Sequence, residues 1–246
     1  MSGTSKLKVK LFADGADIAG MKEMAANPLI KGFTTNPTLM RKAGIADYKA
    51  FAQDVLKVIP DRPVSFEVFA DEFAEMERQA REIAAWGPNV DVKIPVTNTR
   101  RESAGPLIQR LSRAGVQVNV TAVFTLEQVK AITASLAEET RAIVSVFAGR
   151  IADTGVDPVP MMREALKILQ ARPRARLLWA SPRELLNIVQ ASEIGCHIVT
   201  VTSDILAKLS LLGKDHEDYS LETVEMFHRD AATAGYTIPS GRPPLA

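Results

Sequence analysis

The 246-residue chain has little of the chemistry on which several classes of protein depend. Its one cysteine, Cys196, excludes an internal disulfide, and apolar neighbours such as Ile194 and Val199 predict a buried structural thiol. Its three histidines lack the spacing of metal ligands, so we expect no metal. The formal net charge is only +1, with both signs mixed along the chain, which argues against nucleic acid or an anionic membrane as a partner.

Long apolar runs are also missing from the sequence. No stretch approaches the length needed to span a membrane, and residues 1–6 do not begin a signal peptide. We therefore expect a cytoplasmic protein that acts on small molecules. Hydrophobic residues make up 46% of the chain, enough for one large domain or two small ones.

A regular alternation of strand and helix patterns is present instead. Eight strand-like runs, each followed by a helical stretch, recur about every 20–35 residues. The runs centre on Phe12, Thr34, Glu67, Lys93, Val120, Val146, Leu178 and Val199. Apolar residues at spacings of three and four predict helices over 72–85, 101–111, 126–136, 160–169 and 182–191.

This alternation is typical of a parallel sheet covered by helices. No Gly-rich phosphate fingerprint follows the first strand and no composition break divides the chain, which favours a closed (β/α)₈ TIM barrel over a doubly wound open sheet. We predict a single domain over 1–246, with the barrel over about 8–212, an additional C-terminal helix over 221–234 and a Pro-rich tail over 239–246. An apolar stripe on that helix, which includes Leu221 and Phe227, could close the barrel surface or dock on another subunit.

Lys93 is the most informative single residue, because it lies near the end of an otherwise apolar strand. A buried lysine tends to lose its proton, and a neutral amine can attack a carbonyl. An ion pair or a snorkelling strand end is the structural alternative. Lys57, Lys130 and Lys167 lie instead on amphipathic helical stretches, where a solvated ammonium is the ordinary interpretation.

Polar residues near the ends of several strands fall two apart, which places them on one face of each strand. These residues are Thr34 with Asn36, Ser65 with Glu67, and Asn119 with Thr121, together with Asp14 and Ser145. Any one of them could be a cap or turn residue: Asp14 could start a helix, and Asn36 could serve the turn at Pro37. Because barrel enzymes gather their chemistry at the carboxyl ends of the strands, the set predicts a pocket around Lys93.

Five segments that carry these residues resemble signature segments of the transaldolase family, particularly its short-chain branch. They are Phe-Ala-Asp-Gly-Ala at 12–16, Gly-Phe-Thr-Thr-Asn-Pro-Thr at 32–38, Val-Lys-Ile-Pro-Val-Thr at 92–97, Asn-Val-Thr at 119–121 and Phe-Ala-Gly-Arg-Ile at 147–151. The resemblance covers about 8–212. It implies a class I aldolase barrel in which a lysine forms a Schiff base with a ketose, without cofactor or metal, and this agrees with the fold predicted from periodicity.

The resemblance also implies a role for each site residue. Lys93 would attack the C2 carbonyl of a ketose phosphate, and Asp14 would take the proton from the C4 hydroxyl. Glu67 and Thr121 would position a water that shuttles protons. Thr34, Asn36, Asn119 and Ser145 would hold the hydroxyls of the three-carbon fragment, and Arg150, Ser181 and Arg183 would bind the phosphate. Small family members often form rings, so a homo-oligomer is expected.

Two positions indicate which reaction occurs. The branch that resembles fructose-6-phosphate aldolase typically has glutamine at the position of Glu67 and tyrosine at that of Phe147. This chain is therefore expected to move a dihydroxyacetone unit from fructose 6-phosphate or sedoheptulose 7-phosphate to an aldose phosphate. The alternatives are a lyase that releases free dihydroxyacetone and a non-catalytic barrel that binds sugar phosphates.

Two residues depart from the family pattern. Gly15 stands where the family commonly has Thr or Ser, which affects the anchoring of Asp14. Asp91 shares strand parity with Lys93 and would favour its protonated form unless it pairs with a basic group lower in the barrel. Asp91 and Lys93 also match the Asp-x-Lys of barrel decarboxylases, but Val96 stands where that pattern usually has a further acid.

Overall fold

The structure, a computed structural model, describes residues 7–238 and contains a closed barrel of eight parallel strands in sequence order. β8 pairs with β1 to complete the barrel. The strands are β1 (Lys10–Asp14), β2 (Ile30–Thr34), β3 (Val64–Glu67), β4 (Val90–Pro95), β5 (Val118–Val123), β6 (Ala142–Val146), β7 (Ala175–Trp179) and β8 (Ile198–Val201). All eight predicted strand centres lie within them, so the predicted TIM barrel is confirmed.

Helices follow the strands around the barrel. Within residues 7–238 they are α1 (Ile18–Ala26), α2 (Pro37–Lys42), α3 (Tyr48–Val58), α4 (Phe73–Ala84), α5 (Gly105–Arg113), α6 (Leu126–Ser135), α7 (Ala148–Ala152), α8 (Val159–Leu169), α9 (Leu185–Glu193), α10 (Ser203–Leu206) and α11 (His216–Ala234), with a 3₁₀ segment at Ala207–Leu211. The five helices predicted between strands correspond to α4, α5, α6, α8 and α9. None of the helices in this range is both long and apolar enough to cross a membrane.

Three helices begin three or more residues from their predicted positions, for local reasons. α5 begins four residues late because Arg101 has a positive φ of 65° and an antiparallel bridge joins residues 97 and 103. α9 begins at Leu185, after Glu184 in the cap position. α11 begins five residues early because the Asp215 carboxylate accepts the backbone N–H groups of residues 217 and 218.

The barrel interior has an apolar layer below its carboxyl end. Phe12, Ile143, Leu178 and Ile198 form one buried cluster, separate from the larger core that packs strands against helices. The Phe12 ring needs the space above Gly32, where an added Cβ would lie 2.5 Å from a ring carbon. Positions two residues after Phe12, Ile143 and Ile198 are polar, so this layer is the floor under a polar site.

The buried acid Asp91 has its own cationic partner. Its Oδ1 accepts a hydrogen bond from a guanidinium nitrogen of Arg141 at 3.0 Å. Burial raises the pKa of Asp91 to about 6, and the Arg141 charge and hydrogen bond partly oppose the rise. The basic group that the sequence required for Asp91 is therefore Arg141, and the groups that hold Lys93 are different ones.

The C-terminal helix α11 does not close the barrel. None of its residues is buried, and its apolar side chains Leu221, Val224 and Phe227 are 58%, 60% and 62% exposed. The first of the two predicted roles for this stripe is therefore wrong. Cys196 is buried, as predicted. The single-domain assignment stays a prediction, and the predicted tail over 239–246 lies outside the described residues.

Candidate functional site

A cavity of about 560 Å³ opens at the carboxyl ends of the strands. The structure brings twelve of the thirteen sequence-predicted site residues to its wall, namely Asp14, Thr34, Asn36, Glu67, Lys93, Asn119, Thr121, Ser145, Phe147, Arg150, Ser181 and Arg183. The thirteenth, Ser65, is buried and does not line the cavity. Within residues 7–238, no group of three or more His, Cys, Asp or Glu side chains is arranged to hold a metal ion. The cavity therefore offers an amine, carboxylates, hydroxyls and guanidinium groups for chemistry.

Lys93 lies at the centre of this chemistry. Its flanking residues Val92 and Ile94 are fully buried, and Lys93 itself is 7% exposed. Its Nζ donates to the carbonyl oxygen of Thr35 at 2.7 Å and lies 3.0 Å from Glu67 Oε2. The ion pair predicted from the sequence as the structural alternative is thus present, and it places a carboxylate within proton-transfer distance of the amine.

Asp14 ends β1 on the same wall of the cavity. Its carboxylate accepts a hydrogen bond from Thr34 Oγ1 at 2.8 Å and a longer one from Asn36 Nδ2 at 3.3 Å. Burial raises the pKa of Asp14 above its ordinary value, while the Lys93 charge and the two hydrogen bonds oppose part of the rise. Asp14 is thus a carboxylate that two neighbouring side chains hold in place and whose pKa lies above its ordinary value.

The backbone around Asp14 explains how the carboxylate is anchored despite the glycine that follows it. Gly15 N–H donates to the Thr34 carbonyl at 3.1 Å, which ties the end of β1 to β2. Asp14 does not cap α1: that cap is Asp17, whose carboxylate accepts the Gly20 N–H at 2.7 Å. The Asp14 side chain is therefore available to the cavity.

A residue that the sequence did not single out completes this group. Thr200 on β8 lies with its Oγ1 2.5 Å from Thr34 Oγ1. Because the Thr34 hydroxyl hydrogen goes to Asp14, Thr200 must be the donor in this pair. Thr200 stands two residues after the buried Ile198 on β8, and that spacing was the sequence signal that could have found it. Thr202 and Asp204 also line the cavity, but they lie beyond the end of the strand.

A second buried chain of hydrogen bonds orders the side of the cavity beyond Lys93. Asn119 Nδ2 donates to Ser65 Oγ at 3.0 Å, and Ser145 Oγ donates to Asn119 Oδ1 at 2.6 Å. These two bonds fix the orientation of the Asn119 amide between β3 and β6. Thr121 follows on β5, just before Ala122, whose positive φ of 57° coincides with an irregular register between β5 and β6.

The outer part of the cavity has two guanidinium groups. Arg150 lies over the Phe147 ring, with Cζ 5.1 Å from the ring centroid. Arg183 pairs through two of its nitrogens with Asp153, a residue that the sequence did not predict, and its Nε–Oδ1 distance is 2.9 Å. This bidentate ion pair uses two of the five N–H donors of the Arg183 guanidinium, so three remain that can donate to an anion.

Replacing Thr34 with valine should move the acid limb of the pH–activity profile to higher pH. The Thr34 hydroxyl stabilises the ionised form of Asp14. Its removal should therefore raise the pKa of Asp14, which burial already raises, still further. We expect Asp14 to act as a general base, which is active only when ionised, so activity should be lost at a higher pH as the pH falls. The measurement is kcat/KM against pH, with Thr34→Ser as the control that keeps the hydroxyl. An unchanged limb in Thr34→Val would contradict this prediction.

Comparison with known proteins decides the family. The model of the family described as "Transaldolase/Fructose-6-phosphate aldolase" matches residues 11–238. The chain belongs to this family. The family resemblance that the sequence motifs indicated is confirmed, and with it a transaldolase-family enzyme as the coarse identity of the chain.

Curated relatives agree with this family. A probable transaldolase of Dehalococcoides mccartyi is 38% identical over 202 residues, which cover 82% of this chain and 90% of that protein. A probable transaldolase of Roseiflexus sp. is 37% identical over 200 residues, covering 80% of this chain and 88% of that protein. Both alignments span most of this chain and most of each relative.

Similar solved structures support only the fold of this chain. KGPDC from Streptococcus mutans superposes with a TM-score of 0.54 at 9% identity, over 83% of this chain and 95% of that one. A 2,3-dimethylmalate lyase gives a TM-score of 0.57 at 12% identity, over 98% of this chain and 89% of that one. These similarities support the TIM-barrel fold of the transaldolase-family chain and carry no information about substrate.

Proposed function

We propose that this chain is a transaldolase, which transfers a dihydroxyacetone unit from fructose 6-phosphate or sedoheptulose 7-phosphate to an aldose phosphate through a Schiff base. The observation that carries the proposal is the buried Lys93 amine, 3.0 Å from Glu67 and in one cavity with Asp14. A nucleophilic amine, a nearby acid that can take and return its proton, and a second carboxylate are the groups that this reaction needs.

In the first half of the reaction, Lys93 Nζ attacks C2 of the ketose and water leaves to give an iminium. Glu67 and Thr121 hold the water that carries protons during this step. Asp14 then takes the proton of the C4 hydroxyl as the C3–C4 bond breaks, and the bond electrons move into the iminium. An aldose phosphate leaves, and a three-carbon enamine remains on Lys93.

Substrate positioning follows from the two sides of the cavity. Asn119 and Ser145, already ordered by their own hydrogen bond, bind hydroxyls of the three-carbon unit together with Thr34 and Asn36. The phosphate binds farther out against Arg150, Ser181 and Arg183. Asp153 holds the Arg183 guanidinium in one orientation. Its remaining N–H groups therefore bind the phosphate with a smaller loss of side-chain conformational entropy.

Transfer is favoured over cleavage by the ring at position 147. Phe147 lines the cavity, and it has no hydroxyl that could hand a proton to the nascent enamine. The enamine then persists until an aldehyde acceptor arrives, and Asp14 returns its proton to the new hydroxyl. The alternative function, an aldolase-type lyase, requires a proton donor at this place.

Replacing Phe147 with tyrosine should raise the rate of free dihydroxyacetone release relative to transfer, by about tenfold if the new hydroxyl protonates the enamine. Both rates are measured on one enzyme preparation, with fructose 6-phosphate alone and with added erythrose 4-phosphate. Phe124→Tyr is the matched control, since its ring lies 5.5 Å from that of Phe147 but is not part of the cavity wall. An unchanged ratio in Phe147→Tyr would remove the role given to the phenyl ring.

The Schiff base is tested by chemical trapping. The protein is incubated with fructose 6-phosphate and borohydride, and intact and peptide masses are measured. Borohydride reduces an iminium, so we expect a reduced adduct on Lys93 with the mass of the intact ketose phosphate, or of the three-carbon unit where its enamine has been protonated. An unchanged mass, with a known class I aldolase trapped in parallel, would refute the proposal and leave the non-catalytic barrel.

The same substrate separates transfer from cleavage. Fructose 6-phosphate is followed with and without erythrose 4-phosphate as acceptor. Turnover that depends on the acceptor supports a transaldolase, whereas equal release of dihydroxyacetone without acceptor would show the lyase alternative.

The homo-oligomer expected from the family resemblance has a candidate contact surface on α11. Leu221, Val224 and Phe227 present an apolar stripe that no other described part of the chain covers. We propose that a second copy of the chain covers it. Light scattering should give a mass above that of the 26.8 kDa monomer, and a monomeric mass at micromolar concentration would exclude this assembly.

A further inference from the structure

The end of β3 is held by a residue outside the cavity. Tyr48, the first residue of α3, places its hydroxyl at the backbone of Glu67: the Glu67 N–H donates to Tyr48 Oη at 2.6 Å, and Tyr48 Oη lies 3.0 Å from the Glu67 carbonyl oxygen, which accepts its proton. The N–H and the carbonyl of Glu67, which point to the same side of β3, are therefore both hydrogen-bonded to one phenol.

In a regular parallel ladder these two backbone groups would pair with β2 instead. Thr35 N–H donates to the Ser65 carbonyl at 3.2 Å, so the next bonds would join Glu67 N–H to the Thr35 carbonyl, and the N–H of residue 37 to the Glu67 carbonyl. Residue 37 is proline, which has no N–H. The ladder therefore has to stop at this point.

The interruption of the ladder has a chemical consequence for Lys93. Because the Glu67 N–H bonds to Tyr48, the Thr35 carbonyl is available, and it accepts the Lys93 amine at 2.7 Å. The other contact of the amine is the Glu67 carboxylate at 3.0 Å. Both groups that hold the Lys93 nitrogen thus depend on the position of the Tyr48 hydroxyl.

The ring of Tyr48 is itself well fixed. It packs edge-on against Phe66 and Trp86, with centroid distances of 6.1 and 5.4 Å, and lies 4.6 Å from the Phe69 ring. Burial raises the pKa of the Tyr48 phenol, so the group stays a neutral donor and acceptor. A rigid ring with a protonated hydroxyl is suited to positioning a neighbouring strand end.

We propose that Tyr48 is a positioning residue for Schiff-base formation: its hydroxyl replaces the missing β2 contacts of Glu67 and thereby reserves the Thr35 carbonyl for the Lys93 amine. This inference rests on the proposed function. Without the hydroxyl, the Glu67 N–H would turn to the Thr35 carbonyl and compete with Lys93 for it, and the Glu67 carbonyl would lose its donor.

The test compares Tyr48→Phe with Phe69→Leu, which removes ring contact with Tyr48 but keeps the hydroxyl. Each protein is mixed with saturating fructose 6-phosphate and borohydride, and the rate of adduct formation on Lys93 is measured by mass spectrometry beside kcat, KM and thermal melting. In Tyr48→Phe we expect trapping and kcat to fall about tenfold with KM little changed, and in Phe69→Leu we expect a rate like that of wild type.

The possible outcomes separate the two proposals. A wild-type protein that is never trapped would refute the Schiff-base function itself. A trapped wild type with Tyr48→Phe equally fast, or with Phe69→Leu equally slow, would overturn the role of the hydroxyl. If Tyr48→Phe does not fold, amide exchange in the wild type decides: the Glu67 amide should exchange as slowly as that of Val92 within the barrel, and fast exchange would overturn the inference.

Discussion

Lys93→Met should reduce kcat/KM by about 10³-fold or more while the barrel stays folded, because the reaction proposed here has no route without a covalent bond to that amine. Methionine keeps an unbranched stem of similar size, so the apolar surroundings of Lys93 remain filled. The Glu67 carboxylate loses its cation, but its side chain is 15% exposed and can be hydrated. Initial rates with fructose 6-phosphate and erythrose 4-phosphate measure the loss.

The control for this variant is Lys57→Met on α3. Lys57 is 73% exposed and pairs with Asp54 on the same helix, so its replacement removes a lysine without touching the cavity. Wild-type rates in Lys57→Met and lost activity in Lys93→Met, with equal melting temperatures, would support the assignment. Transfer retained by a folded Lys93→Met would contradict it.

A substantial part of the site could be predicted from the sequence, because alternation along a strand is a local property. Asp14, Thr34, Glu67, Lys93 and Asn119 are polar residues near the ends of strands, and each follows an apolar residue on the opposite face. In a barrel the carboxyl ends of all strands meet, so residues far apart in sequence had to converge. The lysine was identifiable by its strand, whereas a helical lysine would have given no signal.

Contacts between distant segments could not be predicted in the same way. Tyr48 at the start of a helix gives no sign that its hydroxyl reaches Glu67, and Thr200 contacts Thr34 only because β8 closes against β1. Asp153 resembles any acid at the end of a short helix until the β7 loop brings an arginine to it. Each of these contacts depends on the packing of complete elements, which residue spacing does not encode.

Pro37 shows how one residue can carry two kinds of information. In the sequence it indicates a turn. In the structure α2 begins there, with the Asn36 side chain accepting the Leu39 N–H at 2.9 Å. In the barrel its missing N–H also ends the β2–β3 ladder beside Glu67. Only the pairing of the strands makes this second effect visible.

Gly149→Ala should lower the free energy of unfolding by about 3 kcal/mol or more, because its new Cβ would lie 1.5 Å from the Ser181 carbonyl oxygen. That oxygen belongs to the backbone, so no side-chain rotation relieves the overlap. Ser181 already has a positive φ of 57°, which leaves its backbone few alternative conformations. For a chain of this length the melting temperature should fall by about 6–12 °C.

Gly15→Ala is the matched control, since the nearest atom to an added Cβ there is Met21 Cγ at 3.9 Å, and its stability should stay close to that of the wild type. Gly149 N–H also donates to the Ala180 carbonyl at 3.2 Å, so displacement of the loop after β7 would move the start of α7 and Arg150 with it. We therefore expect KM for the sugar phosphate to rise in Gly149→Ala. A stable variant with an unchanged KM would mean that the close approach of α7 to this loop is not what sets the phosphate end of the cavity.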